Sequence, residues 1–90
     1  MAVKVNIHPL LQSYTDGNAV VEVSGKTVGE CLEAVIRRFP RLRSSLMDKD
    51  GKLLHHIDIY VNSESAYPEE LAKAVQDEDE LHIIMMVVGG

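Results

Sequence analysis

One stretch decides the fold of this 90-residue chain, and it reads TVGECLEAVIRRFP over residues 27–40. Thr27 and Glu30 have the spacing of a capping box, in which two side chains hydrogen-bond to backbone N–H groups at the start of a helix. Beyond them, apolar residues recur at the three- and four-residue intervals of a helix face. Pro40 ends the pattern, because proline disfavours helical geometry in the residue before it. We therefore predict a helix over Val28–Phe39.

Short alternating segments stand on both sides of this helix, with apolar and polar residues in the period of two that half-buried strands show. Before the helix they are Val3–Ile7 and Ala19–Val23, which we expect to pair as a hairpin across a long loop containing Asp16-Gly17. After the helix they are Ile57–Val61 and Glu80–Val87. The predicted order is therefore β-β-α-β-β.

One helix can cover only one face of a sheet, which limits the architectures that this order allows. We predict an α+β fold of the ubiquitin-like β-grasp type. In it, a mixed sheet with the N- and C-terminal strands as central neighbours wraps around one main helix. Residues 1–90 are expected to form a single domain, since a chain of this length has room for one core. A short extra strand or turn is expected at 52–55, and a single helical turn at 67–71.

The composition argues against several classes of function. A net charge of −5 disfavours nucleic-acid binding, which needs clustered Lys and Arg residues on one face. The basic residues between Arg37 and Arg43 flank the predicted helix end, where cations complement the helix dipole. No stretch approaches the roughly 18 apolar residues of a membrane span, and the first residues lack a signal-peptide core, so we expect no membrane partner. With a single cysteine, the chain is expected to be cytoplasmic.

The sequence lacks the usual motifs of catalysis and cofactor binding. It contains no phosphate loop, no G-x-G-x-x-G, no H-E-x-x-H and no C-x-x-C. We therefore expect no metal site, no bound cofactor and no enzymatic activity of its own. Cys31 lies on the apolar side of the predicted helix and is expected to pack in the core. His55 and His56 should point to opposite sides of an extended strand, and the acidic run Asp77–Glu80 should form a solvated turn that could also dock a basic partner.

The chain ends in Gly89-Gly90, directly after the last predicted strand. A frayed terminus is one explanation, because small residues tolerate disorder at chain ends. The combination of a diglycine with a one-helix β-grasp pattern favours a second explanation, a flexible tail that carries the function.

The residues before the diglycine are unusually apolar. On the predicted last strand, Ile84, Met86 and Val88 point away from the core side. Either these side chains dock a partner, since methionine adapts well to recognition surfaces, or the strand is central and both of its faces are covered. Together with Val87 they are our candidate partner-binding residues.

The chain resembles the ubiquitin-like sulfur carriers of the MoaD/ThiS family, which includes the molybdopterin-synthase small subunit and carriers of thiamine biosynthesis. The resemblance covers essentially the whole sequence. Three internal stretches look like the branch that includes the mycobacterial cysteine-biosynthesis carrier. They are Leu46-Met47-Asp48, Gly51-Lys52-Leu53 and Ile59-Tyr60-Val61-Asn62. One departure is the run Met85-Met86-Val87-Val88, where many relatives carry proline or alanine, and it concerns the choice of partner enzyme.

The resemblance implies a specific chemistry at the C-terminus. An activating enzyme that resembles the ubiquitin E1 adenylates the Gly90 carboxylate, with ATP and Mg²⁺ that the enzyme itself binds. A sulfur donor then displaces AMP and leaves a thiocarboxylate. Gly89 keeps the approach to this carboxylate free of side chains. The carrier is a co-substrate, and the expected sulfur acceptor is a pyridoxal-phosphate-dependent synthase that makes cysteine or a related sulfur amino acid.

Three other functions fit the same sequence. The first is the small subunit of molybdopterin synthase, whose tail inserts into a larger catalytic subunit. The second is a ubiquitin-like modifier that is joined through Gly90 to lysines of target proteins. The third is a β-grasp binding module that does not use its tail.

Overall fold

The predicted helix forms as its capping residues indicate. In the computed structural model, which describes residues 2–86, it spans Val28–Arg38 and is named α1. The Thr27 hydroxyl oxygen accepts a hydrogen bond from the backbone N–H of Glu30 at 3.1 Å. The Glu30 carboxylate accepts one from the backbone N–H of Lys26 at 2.9 Å, one residue earlier than a capping box requires. Both bonds fix the start of α1.

The end of α1 differs by one residue from the prediction. Phe39 has φ −133° and ψ 76°, so it lies outside the helix, although its N–H still bonds to the Val35 carbonyl oxygen. The cause is Pro40, whose ring crowds the preceding residue and disfavours helical geometry there. Arg37 and Arg38 occupy the last turn of α1, where the helix dipole favours positive charge.

Within the described residues, five strands form one mixed sheet in the order β2-β1-β5-β3-β4. They are β1 (Val3–Asn6), β2 (Val20–Val23), β3 (Ile57–Val61), β4 (Glu64–Ser65) and β5 (Glu80–Met85). β5 is parallel to β1 and antiparallel to β3. The first and last strands are thus central neighbours, and the predicted β-grasp fold is confirmed.

Short helical segments fill the connections. A 3₁₀ helix at Pro9–Thr15 lies in the long loop between β1 and β2. A second 3₁₀ helix, at Pro40–Leu42, leads from α1 into the single-turn helix α2 (Arg43–Leu46). A third, at Glu70–Ala72, is the helical turn that the sequence predicts, placed slightly later in the chain.

The region expected to hold a short extra strand or turn, 52–55, contains one isolated bridge that joins Leu53 to Met47. The sequence did not predict β4, which contains only two residues. A two-residue strand is too short to show the alternation by which strands are recognised.

The end of β5 and the residues just before β3, which lie side by side, also differ from the prediction. β5 ends at Met85 rather than at Val87, which lies outside the described residues. The backbone N–H of Met86 still donates to the His56 carbonyl oxygen at 2.7 Å, so the pairing extends one residue beyond the strand. The prediction that His55 and His56 lie in an extended strand is wrong, because the two residues form a turn before β3.

The core lies between α1 and the inner face of the sheet. Leu32 of α1, Ile59 of β3 and Leu81 of β5 are fully buried there. Cys31 is also fully buried, as predicted. Burial raises the pKa of its thiol, and the negative charge of Glu30 raises it further. The thiol therefore packs as a small apolar group rather than serving as a nucleophile.

Gly29 lets α1 approach the 3₁₀ segment around Leu71 closely. A methyl group on Gly29 would lie 2.9 Å from the Leu71 backbone carbonyl oxygen and 3.4 Å from its Cβ. The two segments are also tied by a backbone hydrogen bond, in which the Val28 N–H donates to the Lys73 carbonyl oxygen at 2.9 Å. Because backbone atoms stand on both sides, the gap cannot widen without cost.

We expect Gly29→Ala to destabilise the protein by about 1–2 kcal/mol, although alanine favours helices more than glycine does. The measurement is the midpoint of urea unfolding. Arg37→Ala, an exposed substitution on the same helix, is the control and should change stability by less than about 0.5 kcal/mol. A midpoint for Gly29→Ala that equals or exceeds that of the wild type would contradict the close-contact explanation.

Candidate functional site

The sheet brings several strand ends together where the chain approaches its C-terminus. β1, β4 and β5 run in one direction, because β1 is parallel to β5 whereas β4 and β5 are both antiparallel to β3. Their C-terminal ends and the start of β3 therefore share one end of the sheet, which we call the tail end. Met86 follows β5 at this end. The predicted site residues Val87, Val88, Gly89 and Gly90 come next in the chain and lie outside the described residues.

Exposed apolar side chains are concentrated at the tail end. Among residues 2–86, the large hydrophobic side chains that are strongly exposed are Leu10 (69%), Val20 (45%), Tyr67 (74%) and Met86 (47%). Leu10 comes soon after β1, Val20 begins β2, and Tyr67 comes soon after β4. Apolar groups that share one region of a surface often mark a site that a partner covers. The tail end is therefore a candidate docking surface.

The outward face of β5 remains partly accessible. Ile84 stands opposite Asp58 of β3 and is half-buried, as is His82 two positions earlier. Leu81 and Ile83 point to the opposite face, toward α1, and are at most 2% exposed. β5 is therefore central within the sheet, yet this position does not cover its outward side chains. Ile84 and Met86 stay available for contact with a partner.

A groove of about 710 Å³ opens beside Met86 at the β4 edge of the sheet. We call it the β4 groove. It is formed by the chain before and at the start of β3, the end of β4, the segment that follows β4, and the first residue after β5. Its lining residues are 52–55, 57–58, Ser65, 67–72 and Met86.

Hydrogen bonds hold the chain beside β3 as far as Met86. Met85 stands opposite Ile57, and the Met86 N–H bonds to the His56 carbonyl oxygen at 2.7 Å. The four residues beyond this bond can span at most about 14 Å when fully extended. Gly90 is therefore tied by a short stretch of chain to the tail end.

The other chemically interesting side chains are not gathered into a site. The Nδ1 atom of His8 accepts a hydrogen bond from the Leu10 N–H at 3.1 Å, which caps the first 3₁₀ helix. His55 and His56 lie at the tail end, whereas His82 lies on the outward face of β5. Across residues 2–86, no group of three or more His, Cys, Asp or Glu side chains is placed to hold a metal ion.

Three of the four basic residues near the end of α1 contact other groups of the protein. The guanidinium of Arg43 forms an ion pair with the Glu33 carboxylate at 2.7 Å. Arg38 donates to the Glu22 carbonyl oxygen at 3.1 Å. The Arg41 guanidinium lies over the Tyr14 ring, 5.8 Å from its centroid. These contacts support the structural interpretation of the basic cluster.

The acidic run lies at the end of the sheet opposite the tail end. Asp77 and Glu78 form an exposed turn before β5, as predicted. The Asp79 carboxylate accepts hydrogen bonds from the Gln76 N–H at 2.8 Å and from the Asn62 side-chain amide at 3.2 Å. The described part of the molecule is therefore polarised, with exposed apolar side chains toward the tail end and acidic residues at the opposite end.

None of the helices between residues 2 and 86 is long and apolar enough to cross a membrane.

A family model described as the ThiS family matches residues 10–90 of the sequence. The chain belongs to the ThiS family. This match confirms the resemblance to the MoaD/ThiS sulfur carriers, and it includes the tail residues that lie outside the described part of the structure.

Named relatives of this ThiS-family protein are carriers and modifiers. It is 34% identical to the sulfur carrier protein CysO of Mycobacterium tuberculosis. The alignment is 93 positions long and covers 100% of both chains. It is 38% identical over 71 residues to the small archaeal modifier protein 1 of Haloferax volcanii, with 78% of each chain covered. These relatives are small carrier and modifier proteins rather than enzymes.

The structure of this ThiS-family protein is similar to a chain in the crystal structure of the Amycolatopsis orientalis BexX/CysO complex. The TM-score is 0.89 at 36% sequence identity, with 99% of this chain and 100% of that chain covered. The β-grasp assignment is thus supported by a solved structure over almost the full length.

We expect the loss of stability to differ sharply between alanine substitutions at the adjacent residues Ile83 and Ile84. Ile83→Ala removes a side chain from the core and should destabilise the protein by about 2–5 kcal/mol. Ile84→Ala removes an accessible side chain and should cost about 1 kcal/mol or less. Urea unfolding measures both, and each variant is the control for the other. Equal losses would mean that both faces of β5 are covered.

Proposed function

We propose that this protein is a cytoplasmic sulfur carrier whose Gly90 carboxylate is adenylated by an E1-like enzyme and then converted to a thiocarboxylate. The observation that carries the proposal is full-length similarity to the sulfur carrier CysO, together with the terminal Gly89-Gly90. The thiocarboxylate then donates its sulfur to an acceptor enzyme. This chain contributes the carboxylate, and the activating enzyme contributes ATP, Mg²⁺ and the groups that stabilise the transition state.

Adenylation solves a chemical problem of the carboxylate. A carboxylate is a poor acyl donor because its leaving group would be oxide. Its attack on the α-phosphorus of ATP releases pyrophosphate and forms an acyl adenylate, whose leaving group is AMP. Hydrosulfide then attacks the acyl carbon, so that the C–S bond forms as the C–O bond to AMP breaks, and the proton on sulfur is lost to solvent. The product is a thiocarboxylate at Gly90.

The absence of side chains at the last two positions suits this chemistry. Glycine lacks a Cβ and adopts backbone conformations that other residues rarely reach, so Gly89-Gly90 can enter a narrow channel. The channel entrance must lie close to the carrier, because Gly90 is four residues beyond the Met86–His56 hydrogen bond. The exposed side chains of the tail end then lie where the enzyme surface has to dock.

The acceptor of the sulfur follows from the branch that the sequence resembles. We propose a pyridoxal-phosphate-dependent synthase that forms cysteine or a related sulfur amino acid by addition of sulfur to an aminoacrylate. Capture of such a synthase by the thiocarboxylate form supports this acceptor. Capture of a pterin-binding subunit supports the molybdopterin-synthase alternative instead.

A second candidate function is protein modification, and the similarity to the small archaeal modifier protein 1 favours it. The same acyl adenylate would be attacked by the ε-amine of a lysine, with formation of an isopeptide bond and release of AMP. Both functions use Gly90. Mass spectrometry separates them, because a carrier gains one sulfur in place of one oxygen, whereas a modifier appears in adducts joined through Gly90 to lysine.

We expect that one alanine added after Gly90, or the change Gly89→Leu, abolishes thiocarboxylate formation and leaves the fold intact. The added residue moves the carboxylate out of position, and the leucine obstructs the channel. The measurement is the intact mass after incubation with the activating enzyme, ATP and sulfide. One alanine added at the N-terminus is the control and should be loaded normally. Normal loading of either tail variant would refute the proposal.

We expect Met86→Ala to weaken binding to the activating enzyme by about fivefold or more without a loss of stability, since Met86 is exposed beside the tail. Calorimetric titration measures the affinity, and urea unfolding measures the stability. Glu78→Ala, at the opposite end of the sheet, is the control and should bind normally. Unchanged affinity for Met86→Ala would exclude this residue from the docking surface.

A further inference from the structure

The β4 groove has the volume and the apolar lining that are typical of a recognition site. Its volume of about 710 Å³ is within the range of roughly 300–1,000 Å³ that is usual for pockets that bind ligands. The lining includes the aliphatic side chains of Leu53, Leu54 and Leu71, which also pack against the core. An apolar side chain entering the groove would therefore meet a surface that is already held in place.

Two of the most exposed apolar side chains of the described residues line this groove. Tyr67 is 74% exposed and Met86 is 47% exposed. An occupant of the groove would remove both from water, which contributes about 25 cal/mol for each Å² of apolar surface covered. Their exposure in the free protein is explained if something covers them in a complex.

The groove is also negatively charged. Asp58, Glu69 and Glu70 line it, against the ammonium group of Lys52 and the imidazole of His55. Asp58 is already engaged, because its carboxylate accepts hydrogen bonds from the Ser65 hydroxyl and the Ile59 N–H, both at 2.8 Å. Within residues 2–86, the carboxylates of Glu69 and Glu70 form no ion pair or hydrogen bond. They are available to a cationic partner.

We propose that the β4 groove is the docking site for a segment of the activating enzyme that presents a bulky apolar side chain next to Lys or Arg. This inference rests on the function proposed above and adds a second contact region to it. The apolar side chain would pack on the leucine floor against Tyr67 and Met86. The basic side chain would pair with Glu69 and Glu70.

The activating enzyme fits this groove by its own chemistry. An enzyme that joins ATP to a carboxylate binds two anionic groups side by side, so the surface around its active site carries an excess of positive charge. The acidic groove complements such a surface. The groove lies beside Met86, whose N–H bonds to the carbonyl oxygen of His56 just before β3, and this position brings it within reach of any enzyme that holds the tail.

The groove is distinct from the outward face of β5. Ile84 lies on that face and does not line the groove, whereas Met86 belongs to the groove and follows the same strand. Effects of Glu69 and Glu70 on partner binding can therefore be measured without altering Ile84 or the tail.

The test compares two double variants that change the net charge by the same amount. Glu69→Lys/Glu70→Lys reverses the charge of the groove, and Asp77→Lys/Glu78→Lys reverses the charge of the acidic turn at the opposite end of the sheet. ATP–pyrophosphate exchange by the E1-like activating enzyme gives KM and kcat for the carrier. We expect the groove variant to raise KM by about tenfold with little change in kcat, and the control variant to behave like the wild type.

Further measurements distinguish an electrostatic effect on binding from a loss of stability. Glu69→Gln/Glu70→Gln removes charge without reversing it and should raise KM by a smaller factor. Higher ionic strength should raise KM for the wild type and much less for the glutamine variant, because screening weakens the same attraction. Urea unfolding should give similar midpoints for all variants, since the altered side chains make no internal bonds.

Contrary outcomes separate the two proposals. If the wild type is adenylated and the groove and control variants have equal KM values, whether raised or unchanged, the groove proposal is overturned and the proposed function stands. If the groove variant alters sulfur transfer to the acceptor but not activation, the groove belongs to the acceptor enzyme and the proposal is likewise overturned. If the wild type is not adenylated at all, both proposals are overturned.

Discussion

The parallel pairing of β5 with β1 is the constraint on which the rest of the structure depends. It places the last strand at the centre of the sheet, with hydrogen-bonded neighbours on both sides. The long connection from the first hairpin to β5 must then cross one face, and α1 does so while burying its apolar side. The pairing with β1 covers Glu80–His82 and the pairing with β3 continues to Met85, so the chain approaches its C-terminal residues from a strand inside the sheet rather than from an edge strand.

This arrangement divides the surface by chemistry. The face toward α1 takes the apolar residues of each strand, and the opposite face keeps side chains such as His82 and Ile84 partly accessible. Along the strand direction, acidic residues precede β5 and exposed apolar residues surround its end. A partner that approaches the tail therefore meets apolar surface and the β4 groove, and the charged turn at Asp77 and Glu78 points away from it.

Much of the fold could be predicted from local sequence. The capping residues Thr27 and Glu30 mark the start of α1, and Pro40 marks its end to within one residue. β4 could not be predicted, because its two residues pair with β3 through a turn that depends on distant contacts. Asn62 in this turn has a left-handed φ of 58°, and its side chain bonds to Asp79 and to the backbone N–H of Glu80.

The candidate site was only partly visible in the sequence. Ile84 and Met86 stand out because they are apolar on a strand that leads to the diglycine. The β4 groove gives no such signal, since its walls come from segments before β3 and after β4 that meet Met86 only in the folded protein. The role of Gly89 and Gly90 depends on family resemblance, because these residues lie outside the described structure.

The hydrogen bond from Arg38 to the Glu22 carbonyl oxygen affects how readily the sheet edge can pair with other molecules. β2 is an edge strand, and exposed edge carbonyls invite pairing with strands of other molecules. The Arg38 guanidinium already occupies one of them, and the other edge, β4, is only two residues long. Both lateral edges are therefore poor templates for self-association, which favours the tail end as the surface that meets a partner.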